Sequence, residues 1–414
     1  MSTGTMAVRI LSAGVAVLTL GGCSTFLGPD HAGGNTAGRS RCGELLTKPK
    51  DEAEQRHMLV ILADNSASAV SMGAGTRRRQ DWAGLVGPSL PRDKKTLVRW
   101  GVFGGDVEWS GKKVTPGASA NEYRSQYDAE KVPECLEKEL RKAFDIAPAR
   151  AGTDILRALS EAGNELGGAE GDKQIVIATD GLGNTGCADL RAAPIGDHSA
   201  ISGIVRACGP EIPRLGKDVQ VRLIGIGKPA SGWPDVRTPH RVWLVELWSR
   251  LCAATGARCV PPRSQAPDQS EVGPDVRPPA DPAVEMPSVK IDRGVNPAVI
   301  TAPESVLFDV DSARLAVRAQ DAIDKMMAYI DGFDYRKIVV RGHTDAQGTP
   351  DHNQVLSTAR AKAVVSALRT RGVRKLTAIG FGERKPRCEP QYRNGVPDLR
   401  AMACNRRVEI VVYH

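Results

Sequence analysis

The chain has 414 residues and a formal net charge of +8, room for two ordinary domains with connecting segments. The charge is uneven, with 21 Lys and Arg against 14 Asp and Glu from Lys290 to the end. Such a basic segment suits an anionic partner, and the absence of a base-stacking motif argues against nucleic acid.

At the N-terminus, Arg9 precedes an apolar run, Ile10 to Leu20, that closes on Leu20-Gly21-Gly22-Cys23. The run is too short to span a bilayer and reads as the apolar core of a secretory signal. The small residues before Cys23 fit a lipoprotein signal-peptidase site. Residues 1–22 are then the signal peptide, and Cys23 is the lipidated first residue of the mature chain. An ordinary signal peptide with an incidental cysteine is the weaker alternative. Several acyl chains on one residue anchor firmly, since each buried methylene contributes roughly 0.8 kcal/mol. Ser24 stands where an Asp would favour the inner membrane, so the expected location is the outer membrane, facing the periplasm. Residues 23–56, rich in Gly, Ser, Thr and charge, read as a tether.

Eight cysteines remain besides Cys23, an even number with no zinc-type spacing. In an oxidising compartment they read as disulfides. Proximity pairs Cys388 with Cys404, Cys252 with Cys259 and Cys187 with Cys208, which leaves Cys42 with Cys135. Other connectivities stay open at this point.

Residues 57–260 alternate β-branched runs (Met58–Ala63, Leu97–Phe103, Gln174–Ala178, Val219–Ile226) with amphipathic stretches such as Val132–Phe144 and Ile155–Leu166. That alternation predicts a doubly wound α/β domain, a parallel sheet with helices on both faces. Residues 261–297 follow, with eight prolines among 261–287. They read as an extended linker that could span up to roughly 80 Å. Residues 298–414 predict a second, smaller α/β domain. Its expected elements are strand Ser305–Phe308, helix Ser312–Ile330, strand Lys337–Arg341, helix Asn353–Arg371, strand Lys375–Phe381 and strand Arg407–Tyr413. Leu356, Ala359, Ala363, Val364, Ala367 and Leu368 form one apolar stripe on the second helix, and Gly372 stops it.

This last domain carries Val306-Leu307-Phe308-Asp309, then Gly342-His343-Thr344-Asp345 with Gly348. Asn353-Gln354-Val355-Leu356-Ser357-Thr358-Ala359-Arg360-Ala361, Gly380-Phe381-Gly382-Glu383 and Asn405-Arg406-Arg407-Val408-Glu409-Ile410 follow. In these blocks it resembles the OmpA-like peptidoglycan-binding domain. The resemblance implies a site for the free end of a diaminopimelate side chain, which carries an ammonium and a carboxylate on one carbon. Such a zwitterion needs an acid beside a base, ideally an Arg whose planar fork takes the carboxylate. By resemblance Asp345 takes the ammonium and Arg360 the carboxylate. Asn353 is either a third contact or a helix N-cap, and Arg407 and Asp309 match positions near the site. His343 and Thr344 are expected to shape the loop. Between Gly382 and Asn405 the chain departs from the plainest family pattern: Cys388 and Cys404 bracket a longer, Arg-rich loop, which leaves its position open.

Residues 57–260 hold three further motifs in order: Asp64-Asn65-Ser66-Ala67-Ser68, Gly152-Thr153-Asp154-Ile155, and Ile175-Val176-Ile177-Ala178-Thr179-Asp180-Gly181. Here the chain resembles a von Willebrand factor A-like domain with its metal-ion-dependent adhesion site. The resemblance implies that Asp64 and Asp180 hold magnesium or another divalent cation, with Ser66, Ser68 and Thr153 adding hydroxyls and one position left for a partner protein's carboxylate. Oxygen-only ligands with few full charges suit magnesium. Asp154 is expected to be a first-turn helix charge.

The expected function is that of a binding protein. It is held to outer-membrane lipid by its acyl anchor and to peptidoglycan by Asp345 and Arg360, and it presents a metal-dependent domain to an unidentified protein. One alternative is a passive tether with a vestigial metal site. A second, a metal-dependent periplasmic hydrolase, is disfavoured: no paired general acid and no Ser–His arrangement accompanies the carboxylates, so the chain does not read as an enzyme.

Overall fold

The computed structural model describes residues 41–47, 57–71, 77–93, 96–111, 115–116, 126–145, 151–167, 169–191, 193–272, 281, 283–292, 296–309, 311–332 and 334–414. The signal peptide, Cys23 and most of the tether lie outside the described residues. No helix among the described residues is long and apolar enough to cross a membrane.

The N-terminal half is built on a sheet of β1 (His57–Asp64), β2 (Thr96–Phe103), β3 (Val107–Trp109), β4 (Lys173–Ala178), β5 (Val219–Ile224) and β6 (Arg258–Arg263). The strand order is β3-β2-β1-β4-β5-β6. Every pair is parallel except β2 with β3. Strand β1 is nearly all apolar because both of its faces are covered. Val60 and Leu62 turn to one core with Leu159 of α2 (Ile155–Glu165) and Trp243, Leu247 and Leu251 of α3 (Thr238–Ala254). Leu59, Ile61 and Ala63 turn to the other, with Trp82 and with Leu136 and Leu140 of α1 (Gln126–Phe144). The loops after β1 and β4 and before α2 therefore meet at the carboxyl ends of parallel strands, where open α/β sheets place their ligands.

The proline-rich stretch departs from the expected free spacer. Residues 261–263 finish β6, and residues 269–271 pair antiparallel with 78–80. Val284 is buried in the N-terminal core, and Met286 packs on it. Proline excludes helix but not edge pairing, and the interspersed Val, Met and Gln residues give this stretch something to bury or bond. Residues 290–292, also within the expected linker, already form the first strand of the second sheet.

That sheet runs β7 (Lys290–Asp292), β8 (Ala298–Pro303), β11 (Arg407–Tyr413), β9 (Lys337–His343) and β10 (Leu376–Gly380) in spatial order. Only β9 with β10 is parallel. Alternate residues Ile338, Val340, Val408, Ile410 and Val412 join the core formed with α4 (Gln320–Ile330) and α5 (Pro350–Thr370). The expected strand at 305–308 is instead a one-turn helix, Glu304–Leu307, and the expected helix from Ser312 begins as a 3-10 turn at Val317. The expected elements omitted strand β8 and the short helix α6 (Leu399–Asn405). Helix α5 starts three residues before Asn353: Pro350 occupies its first turn and the Thr349 hydroxyl accepts from His352 N at 3.3 Å, the N-terminal chemistry that favours Thr and Pro. Asn353 is therefore not the cap.

Four disulfides link Cys42 to Cys135, Cys187 to Cys208, Cys252 to Cys259 and Cys388 to Cys404. Three are the pairs that sequence proximity suggested, and Cys42–Cys135 is the pair left over by elimination.

Helix α5 lies unusually close to the sheet because two strand residues are glycine. A Cβ at Gly342 would fall 2.1 Å from the Ser357 carbonyl oxygen, and one at Gly380 2.5 Å from the Thr358 backbone nitrogen. Both neighbours are helix backbone and have nowhere to go. The close approach sets the height of Arg360, three residues beyond Ser357. Gly342→Ala is expected to cost about 1–3 kcal/mol through overpacking, read as a lower denaturant midpoint. Unchanged stability would mean that the helix is not held this tightly.

Candidate functional site

Three stretches deliver charge to one seam of the C-terminal half. The loop after β9 brings Asp345, buried at 5% exposure, and the middle of α5 brings Arg360, at 2%. The residue between α6 and β11 is Arg406. Arg360 Nε donates to the Ser312 carbonyl at 2.9 Å, its Nη2 donates to Glu304, and its guanidinium lies 5.5 Å from the Phe308 ring centroid. Arg406 Nη1 donates to Asp345 Oδ2, and its Nε sits 3.5 Å from Glu304 Oε2. Its Nη2 reaches Asp197 Oδ2, from the N-terminal half, at 2.5 Å. Three carboxylates thus face two guanidiniums in a largely desolvated cluster.

Burial raises the Glu304 carboxyl above the usual range, an effect the neighbouring guanidiniums of Arg360 and Arg406 only partly offset. For Arg406 burial pulls downward, but the carboxylates of Asp197, Asp345 and Glu304 outweigh it and leave the guanidinium above its ordinary value. A cavity of about 310 Å³ opens onto this cluster. Its lining includes Asp345, Arg360, Asn353, Arg406, Glu304 and Asp197. The buried Thr344 hydroxyl, also in the lining, has no hydrogen-bond partner.

The expected site residues divide. Asp345, Arg360 and Asn353 come together. Asn353 is fully engaged in shaping the loop: its Nδ2 donates to the carbonyls of Asp345 at 3.3 Å and Gln347 at 2.9 Å, and to Glu383 Oε2 at 2.7 Å. Asp309 does not line the cavity; it accepts from Arg318 at 2.9 Å, and Asp311 lines the rim in its place. Arg407 does not line it either. Its Nε donates to Glu409 at 2.8 Å, and its other nitrogens bond the carbonyls of Asn405 and Lys385. Arg407 is the first residue of β11, on the same face as Glu409, whereas Arg406 precedes the strand at the end of α6 and so has different surroundings. His343 stacks on Phe381 at 5.3 Å and lies 3.6 Å from Glu409, away from the cavity. The sequence reading missed Arg406, Glu304 and Asp197. The first was legible as the other half of an Arg-Arg pair, whereas Asp197, 148 residues before Asp345, carried no signal.

The second group gathers at the carboxyl ends of β1 and β4. Asp64, Ser66, Ser68, Thr153 and Asp180 are all buried. Asp64 accepts from Ser66 N at 2.9 Å and, through its other oxygen, from the Thr179 hydroxyl at 2.7 Å. The hydroxyls of Ser66 and Ser68 are 3.1 Å apart. Asp180 Oδ1 accepts from Leu182 N at 2.8 Å, while its Oδ2 and the Thr153 hydroxyl are buried without hydrogen-bond partners. Burial raises the Asp64 carboxyl, with the bonds from Thr179 and Ser66 opposing. Burial first, and then the Asp64 charge, push Asp180 up to about 7. Asp154 caps α2 by accepting from Arg157 N at 2.9 Å. Thr179 is a contact the motif reading passed over. Among the described residues no three or more His, Cys, Asp and Glu side chains cluster as metal ligands; this set consists of two carboxylates and hydroxyls.

The C-terminal half is an OmpA-like domain: residues 307–395 match the OmpA family. Outer membrane protein A of Serratia odorifera is 34% identical over 126 residues, covering 28% of this chain and 52% of that one. A photosystem I P700 chlorophyll a apoprotein A2 of Gloeobacter violaceus is 32% identical over 116 residues, 28% of this chain and 13% of the other. The chain therefore spans about half, or far less, of the curated relatives it matches. Among solved structures, the peptidoglycan-associated lipoprotein of Burkholderia pseudomallei is 30% identical at a TM-score of 0.22, covering 26% of this chain and 87% of that one.

Glu304 is the carboxylate that Arg360 depends on. Removing one partner of a buried ion pair leaves an uncompensated charge, at a cost of about 3–5 kcal/mol. Glu304→Ala is expected to lose that much in a denaturant titration. A loss below about 1 kcal/mol, the range of an exposed pair, would show that Arg360 finds water or another acceptor.

Proposed function

We propose that the chain is a lipid-anchored envelope protein whose C-terminal half holds peptidoglycan non-covalently by the zwitterionic end of its diaminopimelate side chains. The carrying observation is that Asp345 and Arg360, both in the segment matching the OmpA family, line one cavity together with Arg406. A carboxylate for the ammonium and a guanidinium fork for the carboxylate are the complements this ligand requires. At about 310 Å³ the cavity is within the size range of small-molecule sites. The anchor reading rests on the Leu20-Gly21-Gly22-Cys23 motif, and Ser24 after it favours the outer membrane, facing the periplasm.

The same proposal makes the N-terminal half a von Willebrand factor A-like binding module. Its mostly parallel sheet and the convergence of three loops at the carboxyl strand ends support that reading. The donor set fits a hard divalent cation: carboxylates on Asp64 and Asp180, hydroxyls on Ser66, Ser68 and Thr153, and two buried oxygens with no other partner. Such a set suits magnesium. When bound, the cation would neutralise the two aspartates and offer a coordination position to an acidic side chain of a partner protein. Thr179 and Ser66 N hold Asp64 in place, and Asn184 Oδ1, accepting from Thr153 N at 2.7 Å, fixes the threonine loop.

Purified peptidoglycan sacculi should pellet the full chain. Asp345→Ala or Arg360→Ala should abolish pelleting while far-UV dichroism stays native, and chelators should change nothing. Retained pelleting by both folded variants would sink the assignment.

For the second site, calorimetry should detect magnesium binding that Asp64→Ala abolishes. A cation favours the carboxylate form, and Asp180 sits near 7 without it. Binding should therefore release protons at neutral pH, and the apparent affinity should rise as pH increases through about 7. Affinity that is flat across that window would remove Asp180 from the ligand set.

A further inference from the structure

The acid–base cavity of the C-terminal half is not closed by that half alone. Asp197 and Ser199 of the N-terminal half form part of its lining. Asp197 divides its carboxylate between two tasks. Oδ1 accepts from Ser199 N at 3.0 Å and from the Ser199 hydroxyl at 2.6 Å, capping a 3-10 turn. Oδ2 takes Arg406 Nη2 at 2.5 Å, with both side chains largely buried. Its carbonyl is fixed by Trp243 Nε1 at 2.8 Å, so the carboxylate is held in place from its own half. Leu399, at the start of α6, packs on the N-terminal core nearby.

The charge balance gives this contact a consequence. Without Asp197, the two guanidiniums face the two carboxylates of Glu304 and Asp345. A zwitterion adds one charge of each sign and leaves that match undisturbed. With Asp197 in place the cluster carries one negative charge in excess, and the outward fork of Arg406 already holds a carboxylate. A ligand carboxylate arriving there meets an occupied donor and a like charge.

Building on the murein reading above, we infer that Asp197 is an internal substitute for the ligand carboxylate. In this arrangement the ligand carboxylate bridges Arg360 and Arg406, which line the same cavity, so docking of the N-terminal half and capture of the diaminopimelate end compete for Arg406. The wall-binding form is the one in which the Asp197 loop has left the pocket, and wall binding frees the N-terminal half from its docked position. A neighbouring cavity of about 280 Å³ shares Asp197, Glu304 and Arg406 with the first. Withdrawal of Asp197 removes a shared wall and lengthens the groove open to a stem peptide.

The test is equilibrium pelleting of the full chain with purified sacculi. Asp197→Asn keeps an oxygen for the cap but turns an amide toward Arg406. It should bind about tenfold more tightly if the docked form accounts for roughly nine-tenths of the molecules. Asp218→Asn, which removes the same charge just before β5, where Asp218 pairs with Lys173 and lines neither cavity, should bind as the parent does. In the parent chain, a soluble stem peptide with a free diaminopimelate end should raise amide hydrogen exchange across 197–200. Unchanged affinity in a natively folded Asp197→Asn, an equal gain in Asp218→Asn, or unaltered exchange at saturating peptide each overturns the competition. Asp345→Ala and Arg360→Ala run alongside separate the two ideas, because pelleting by both folded variants overturns the murein reading itself, whatever Asp197 does.

Discussion

Two guanidiniums removed from water dictate the arrangement of the C-terminal half. A buried cation is tolerated only where carboxylates and carbonyls replace its hydration. Arg360 therefore fixes the position of Glu304 and of the Ser312 carbonyl, and Arg406 that of Asp345. Those partners come from a one-turn helix, the segment before α4 and the loop after β9, so the ion cluster draws three separate stretches of chain to one point. The glycines at 342 and 380 make this possible by letting α5 settle onto the sheet. Without that approach Arg360 would sit higher, in water, where its charge would organise nothing.

Much of this arrangement could be read from local patterns. Strand β1 announces itself because a central parallel strand has no polar face to show, and α5 because its apolar stripe and stop at Gly372, where φ is +90°, agree. Asp345 and Arg360 were legible because both belong to short motifs whose spacing is set by one strand–loop–helix unit. Legibility ended where partners are distant. Arg406 and Arg407 are adjacent in sequence, and only the chain's path between α6 and β11 decides which one faces the cavity. Glu304 stands just before the expected strand Ser305–Phe308, and only the helical turn the chain makes there carries it to Arg360 and Arg406. Asp197 belongs to a loop with no pattern, and its role exists only because two halves meet.

The proline-rich stretch shows the opposite error, a composition read too literally. Proline and small polar residues describe a chain that cannot fold by itself. They do not forbid it from using someone else's edge, and residues 269–271 do so by pairing with 78–80. Farther on, Asp281 accepts from Asn184 Nδ2 at 2.7 Å, only a few residues from Asp180 in sequence. The stretch therefore passes by the oxygen-lined site of the N-terminal half on its way to the second sheet. Its negative charge bears on Asp64 and Asp180 there.

The disulfides have a bearing on how the halves relate. Cys187–Cys208 closes the loop that carries Asp197, and Cys388–Cys404 closes the one that leads into Arg406. Both sides of the contact are thus braced from within, while none of the four bridges crosses from one half to the other. Covalent chemistry stiffens each jaw and leaves the joint to the Asp197–Arg406 pair and the packing of Leu399. A more reducing compartment would then slacken each jaw from within while leaving the pairing across the joint untouched.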